Sequence, residues 1–167
     1  MRSSHGDPDL RGQIIGGRAP NRRIYLDALE RTLKLMANPS TDTVPRVFKA
    51  IENNLIYPFK HTMDQHTKDT VAEQMAKMNC GHTFKEYLEF LKRSDLDSEK
   101  LSVQCYDAIL EMANIFSSIS MSMCRDCGKS GFLKLVIQNM VAMKSEWLRV
   151  SKLINQLIIY RMVIHVQ

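Results

Sequence analysis

The sequence predicts an all-α protein, and three observations carry that prediction. Apolar residues recur at steps of three and four along most of the chain, which lines one face of a helix. No segment shows the two-residue alternation of a half-buried strand. Only seven glycines and five prolines occur in 167 residues, three of the prolines within the first 39, whereas methionine is abundant at eleven. With 44% hydrophobic and 25% charged residues the composition is that of a globular chain, which excludes disorder as its main state.

Residues 1–21 hold Gly6, Pro8, Gly12, Gly16, Gly17 and Pro20 without a helical period and read as a flexible arm. Five arginines against two aspartates in the first 23 residues make that arm basic, fit to touch RNA or an acidic partner, or simply to be solvated. No apolar run occurs in the first 13 residues, so a secretory leader is not expected and an intracellular protein is. The remainder, 22–167, reads as one helical domain.

The first helix carries Leu26, Leu29, Leu33 and Met36 and stops at Asn38-Pro39-Ser40. Val44, Val47, Phe48, Ile51 and Leu55 stripe a second, with Pro45 near its start, where a missing N–H is harmless, and Pro58 at its end. Met63, Val71, Met75 and Met78 give a thinner stripe between His61 and Met78. Thr83 and Glu86 have the spacing of a capping box, which predicts a helix start at Thr83 and the stripe Phe84, Tyr87, Leu88, Leu91. Ser98 caps the longest segment, where Leu101, Cys105, Ala108, Met112, Ile115 and Ile119 alternate steps of four and three. A polar break with Cys124, Cys127, Gly128 and Gly131 follows. Two further helices are expected, from about Phe132 to Met143 and from about Ser145 towards Arg161.

Leu157 to Val166 is the longest apolar stretch; interrupted by Arg161 and His165, it falls well short of the roughly 20 residues of a bilayer span. Leu153, Ile154, Leu157, Ile158, Met162 and Ile164 put apolar side chains on more than one face of the final helix, which predicts self-association through it.

An internal similarity joins Phe84 and Ser98-Glu99-Lys100-Leu101-Ser102-Val103 to Phe132 and Ser145-Glu146-Trp147-Leu148-Arg149-Val150, at offsets of 48 and 47 residues. Ala108-Ile109-Leu110-Glu111-Met112-Ala113-Asn114-Ile115 resembles the third-helix signature of armadillo repeats. Gly131-Phe132-Leu133-Lys134-Leu135-Val136 resembles the glycine-led start of their second helix, with 120–130 as the short first helix. Leu110 stands where peptide-binding members carry tryptophan, and Asn114 to Asn155 gives an offset of 41 rather than 47. The resemblance implies stacked antiparallel helices in a solenoid of armadillo or HEAT type; the alternative is an irregular helical bundle. It further implies a non-enzymatic protein-binding module or scaffold. Asn114 and Asn155 would hydrogen-bond an extended peptide, and Arg149 and Lys152 would select for acid.

Two other chemistries are legible. Cys80-x-His82 and Cys124-x-x-Cys127 supply four zinc-compatible ligands, which would make a zinc-stabilised regulatory domain, the alternative being buried or idle thiols. From Lys129 to Gln167 six basic residues oppose the single acid Glu146, a net +5 that attracts an acidic partner or a phosphate backbone and supports an RNA-associated protein as the second reading. Gly128-Lys129-Ser130 lacks both the leading glycine and the preceding strand of a phosphate-binding loop. His61 and His66, five apart, are not at the spacing of a helical metal pair. No carboxylate pair can be nominated for acid–base work, so no enzyme activity is expected.

Overall fold

A computed structural model describes residues 22–94 and 99–139; the arm, 95–98 and everything from Met140 onward lie outside the described residues. Within them the protein is all-α. Its helices are α1 (Arg22–Ala37), α2 (Val44–Lys49), α3 (Tyr57–His61), α4 (Gln65–Lys77), α5 (Cys80–Arg93), α6 (Glu99–Ser117), α7 (Met121–Lys129) and α8 (Phe132–Asn139). A 3₁₀ turn, Thr41–Thr43, leads into α2, and a π-helical stretch, Ala50–Ile56, joins α2 to α3. No described helix is long and apolar enough to cross a membrane.

α5 packs against α1, α4, α6, α7 and α8, while α6 packs against α2, the π-helical stretch, α5 and α7. These two helices account for the centre of the core. The predicted stripe Phe84, Tyr87, Leu88, Leu91 is buried on α5; of the stripe predicted on α6, Cys105, Ala108 and Met112 are buried, whereas Leu101, Ile115 and Ile119 are half-buried. α6 also buries Ile109, Leu110, Ala113 and Phe116, because it is covered on several sides rather than one. Edge-to-face rings tie the layers: Phe59 against Phe116 at 4.4 Å and Phe84 against Phe132 at 6.1 Å between centroids.

The helix carrying Val44 does not end at Pro58. It runs on to His61, because the π-helical stretch accommodates both the proline and the apolar pattern. In an uninterrupted α-helix Ile56 would lie about 120° around from Val44, facing outward. A turn closed by i→i+5 bonds takes up one extra residue and sets the following side chains back by about 100°. Tyr57 N–H bonds Glu52 O in this way, and Ile56 and Phe59 are buried in consequence. The Tyr25 hydroxyl, itself buried, donates to the Leu55 carbonyl at 2.8 Å and ties α1 to the π-helical stretch.

Between Thr62 and Asp64 the helix is interrupted, so the segment predicted as one helix from His61 starts only at Gln65. Asp64 caps it by accepting from Thr67 N–H at 2.8 Å, and Met63 is buried in the link instead of on the helix.

Two corrections concern the cysteines. α5 begins at Cys80, not Thr83: Asn79 takes the left-handed conformation (φ 59°) that asparagine tolerates, and the Thr83 hydroxyl donates to the Asn79 carbonyl instead of capping a start. The polar break expected from composition around Cys124 and Cys127 is α7, in line with the short helix that the resemblance implied over 120–130. Ser120 caps it, accepting from Met123 N–H at 3.0 Å while donating to Glu73 of α4 at 2.9 Å. Met123, Cys124 and Cys127 then face inward among α4, α5, α6 and α8. Burial of that face outweighs the weak helix propensity of a segment rich in serine, cysteine and glycine. Ser98 and the helix expected from Ser145 lie outside the described residues.

Candidate interaction face and the cysteine cluster

The four predicted zinc ligands sit where α5 meets α7. Cys80, Cys124 and Cys127 are free and buried, whereas His82 points outward and is exposed. Helical phase causes the split: Cys80 and His82 are two residues apart, about 200° around α5. Among the described residues no three His, Cys, Asp or Glu side chains stand close enough to hold a metal ion. Burial pushes the Cys127 thiol up to about 12, with the Ser117 hydroxyl 3.7 Å away, and raises Cys80 in the same direction. Thiols this far from their thiolate form pack as small apolar groups.

Asp126, absent from the sequence expectations, organises this junction. Its Oδ2 accepts from Gly81 N–H at 2.7 Å, so a carboxylate on α7 satisfies a first-turn donor of α5 that Asn79 leaves uncapped. Burial raises the Asp126 pKa, opposed by this hydrogen bond and by the nearby His82. The approach is close: a methyl group on Gly81 would lie 2.6 Å from Ser130 Oγ and 2.9 Å from the Asp126 carbonyl. No local pattern could reveal Asp126, since its partner is 45 residues away.

The second group of interest lies on α6. Gln104, Asp107, Glu111, Asn114 and Ser118 follow one another at steps of three and four, so they form one polar stripe along the helix. Gln104 is exposed and the other four are half-buried. Lys60 of α3 closes one side of the stripe through a 3.0 Å ion pair with Glu111. Asn114 Oδ1 is buried and meets no hydrogen-bond partner among the described residues. The structure thus places Asn114 on a stripe of polar groups, but does not bring it together with the cysteine cluster. Arg149, Lys152 and Asn155 lie outside the described residues.

No protein-family model, curated protein or solved structure matches this chain.

Proposed function

We propose that the protein is a non-enzymatic helical interaction module that docks an extended segment of another protein along the polar stripe of α6. The observation that carries this reading is the unpartnered amide oxygen of Asn114. A buried acceptor left without a donor costs about 1–3 kcal/mol, and an incoming backbone N–H recovers that cost. Asn114 is also the position at which the armadillo resemblance expects a peptide backbone to be bound. In the same reading the helices pack in the armadillo or HEAT manner, and Asn155, Arg149 and Lys152 extend the surface and favour an acidic segment.

Asn114→Leu tests it, because the reading predicts opposite effects on stability and on binding. Replacing the unpaired amide by an apolar side chain of similar size leaves the free protein as stable or more so, while a docked segment loses its donor's partner. The tagged full chain and the variant are each used to capture proteins from a nuclease-treated lysate. The expected result is a protein retained after nuclease by the unmodified chain and lost by Asn114→Leu, with no fall in the variant's melting temperature. An unchanged captured set refutes docking at Asn114. Loss of every captured protein on nuclease treatment refutes the protein-partner reading in favour of RNA.

A further inference from the structure

The outer side of the continuous helix from Val44 to His61 carries a surface that the α6 reading does not use. Its exposed residues are Pro45, Arg46, Lys49, Tyr57, Lys60 and His61, with Asn53 half-buried among them. Its one acid, Glu52, is half-buried. Lys60 is engaged with Glu111, which leaves Arg46 and Lys49 as the cations outside that ion pair. Tyr57 is 37% exposed, one of two large hydrophobic residues exposed among the described residues, and its ring leans on that of His61 at 4.7 Å between centroids, the planes tilted by 44°.

The π-helical stretch aligns this surface. Lys49 and His61 are 12 residues apart and would diverge by about 120° on an uninterrupted α-helix, which would turn His61 away from the cations. Taking up one extra residue between them reduces the divergence to about 20°. The turn that sends Ile56 inward therefore also brings Lys49, Asn53, Tyr57 and His61 into one outward line. Cations for phosphates, followed along that line by an exposed aromatic ring on which a base can stack, are the two components of a single-stranded nucleic-acid surface.

We propose that this outer face of residues 45–61 binds single-stranded RNA, with Arg46 and Lys49 meeting phosphates and the Tyr57 ring, supported by His61, stacking on a base. An acidic peptide would satisfy the cations but gain nothing from the exposed rings, so Tyr57 separates the two partners. This site is separate from the α6 stripe and stands or falls independently of Asn114.

The test uses the full chain and a fluorescein-labelled 12-nucleotide oligouridylate, followed by anisotropy from 50 to 300 mM salt, with a 12-residue oligoglutamate as competitor. Tyr57→Ala is expected to weaken RNA binding about tenfold or more, the loss of one base stack. Arg46→Glu with Lys49→Glu is expected to weaken it further and to flatten the plot of log K against log salt by about 1.4, two phosphates at about 0.7 each. Lys77→Glu with Arg93→Glu is the charge-matched control; both positions are exposed and lie outside this face and outside the basic segment 129–167. All substituted residues are exposed, and circular dichroism verifies that each variant is folded. Failure to bind RNA at tens of micromolar in 50 mM salt overturns the proposal. So does equal weakening by the control pair, which reduces binding to net charge. Tyr57→Ala binding RNA as tightly as the unmodified chain also overturns it; with oligoglutamate competing on equal terms, that result assigns the face to acidic peptides.

Discussion

Replacing Gly81 by alanine asks whether the close approach of α5 and α7 is a structural requirement. The new methyl would meet Ser130 Oγ at 2.6 Å and, at 2.9 Å each, the carbonyl oxygen and Oδ2 of Asp126. The serine hydroxyl can rotate aside, but the Asp126 carbonyl belongs to the backbone of α7 and moves only with the helix. Overpacking of this kind costs about 1–3 kcal/mol. Separating the helices also lengthens the 2.7 Å hydrogen bond from Gly81 N–H to Asp126. Against this, alanine gains up to about 1 kcal/mol of helix propensity over glycine, and less in a first turn. The net expectation is a loss of about 2 kcal/mol, which for a chain of this size lowers the melting temperature by roughly 4–8 °C. Thermal denaturation followed by circular dichroism measures it. Ser130→Ala supplies the second arm of a double-mutant cycle: it removes the nearest contact but leaves the backbone carbonyl, so Gly81→Ala should cost less in its presence without becoming neutral. A melting temperature that is unchanged or raised in Gly81→Ala would show that propensity outweighs packing and that the helices do not meet as described.

Three further outcomes are expected. Tyr25→Phe removes the hydroxyl donated to the Leu55 carbonyl and should cost about 1–3 kcal/mol, seen as a lower urea midpoint at unchanged slope; an unchanged midpoint would mean that the π-helical stretch does not depend on it. Cys105, wholly buried with its thiol pushed up to about 12, should resist a disulfide reagent until the protein unfolds, and Cys105→Ser should cost about 1–3 kcal/mol; rapid labelling of the native protein would place that face of α6 in water. Asp64 and Asp126 should act on acid stability with opposite signs. The hydrogen bonds that cap α4 hold Asp64 below 3.8, so its contribution is present above that value and is lost as pH falls through its folded pKa. Burial holds Asp126 above 3.8, so its ionisation lowers stability as pH rises through its folded pKa. Melting temperatures of Asp64→Asn and Asp126→Asn across the acid range should therefore diverge from the unmodified protein in opposite directions, and parallel curves would contradict the assignment.

The sequence by itself determined that the chain is helical and which faces of α1 and α5 are apolar, because a repeat of 3.6 residues is a local property that each segment displays alone; on α6 it picked out Cys105, Ala108 and Met112 but not the neighbouring buried Ile109, Leu110, Ala113 and Phe116. It also located the end of α1, where Asn38-Pro39-Ser40 follows Ala37. Asn114 could be singled out because it lies within a contiguous signature. Tertiary structure decided the rest through contacts between distant residues. Pro58 lies inside a continuous helix because an extra residue in the turn before it brings Ile56 and Phe59 into the core. α5 starts at Cys80 with a first-turn N–H satisfied by Asp126, 45 residues beyond Gly81. Cys124 and Cys127 read as a polar break, yet they form the inner face of α7, since a short helix of weak propensity is stabilised by the neighbours that bury it. The same helical phase that buries Cys80 exposes His82 and separates a ligand set that looked complete along the chain. Spacing along a sequence fixes which side chains share a face, but which faces are covered depends on what packs against them.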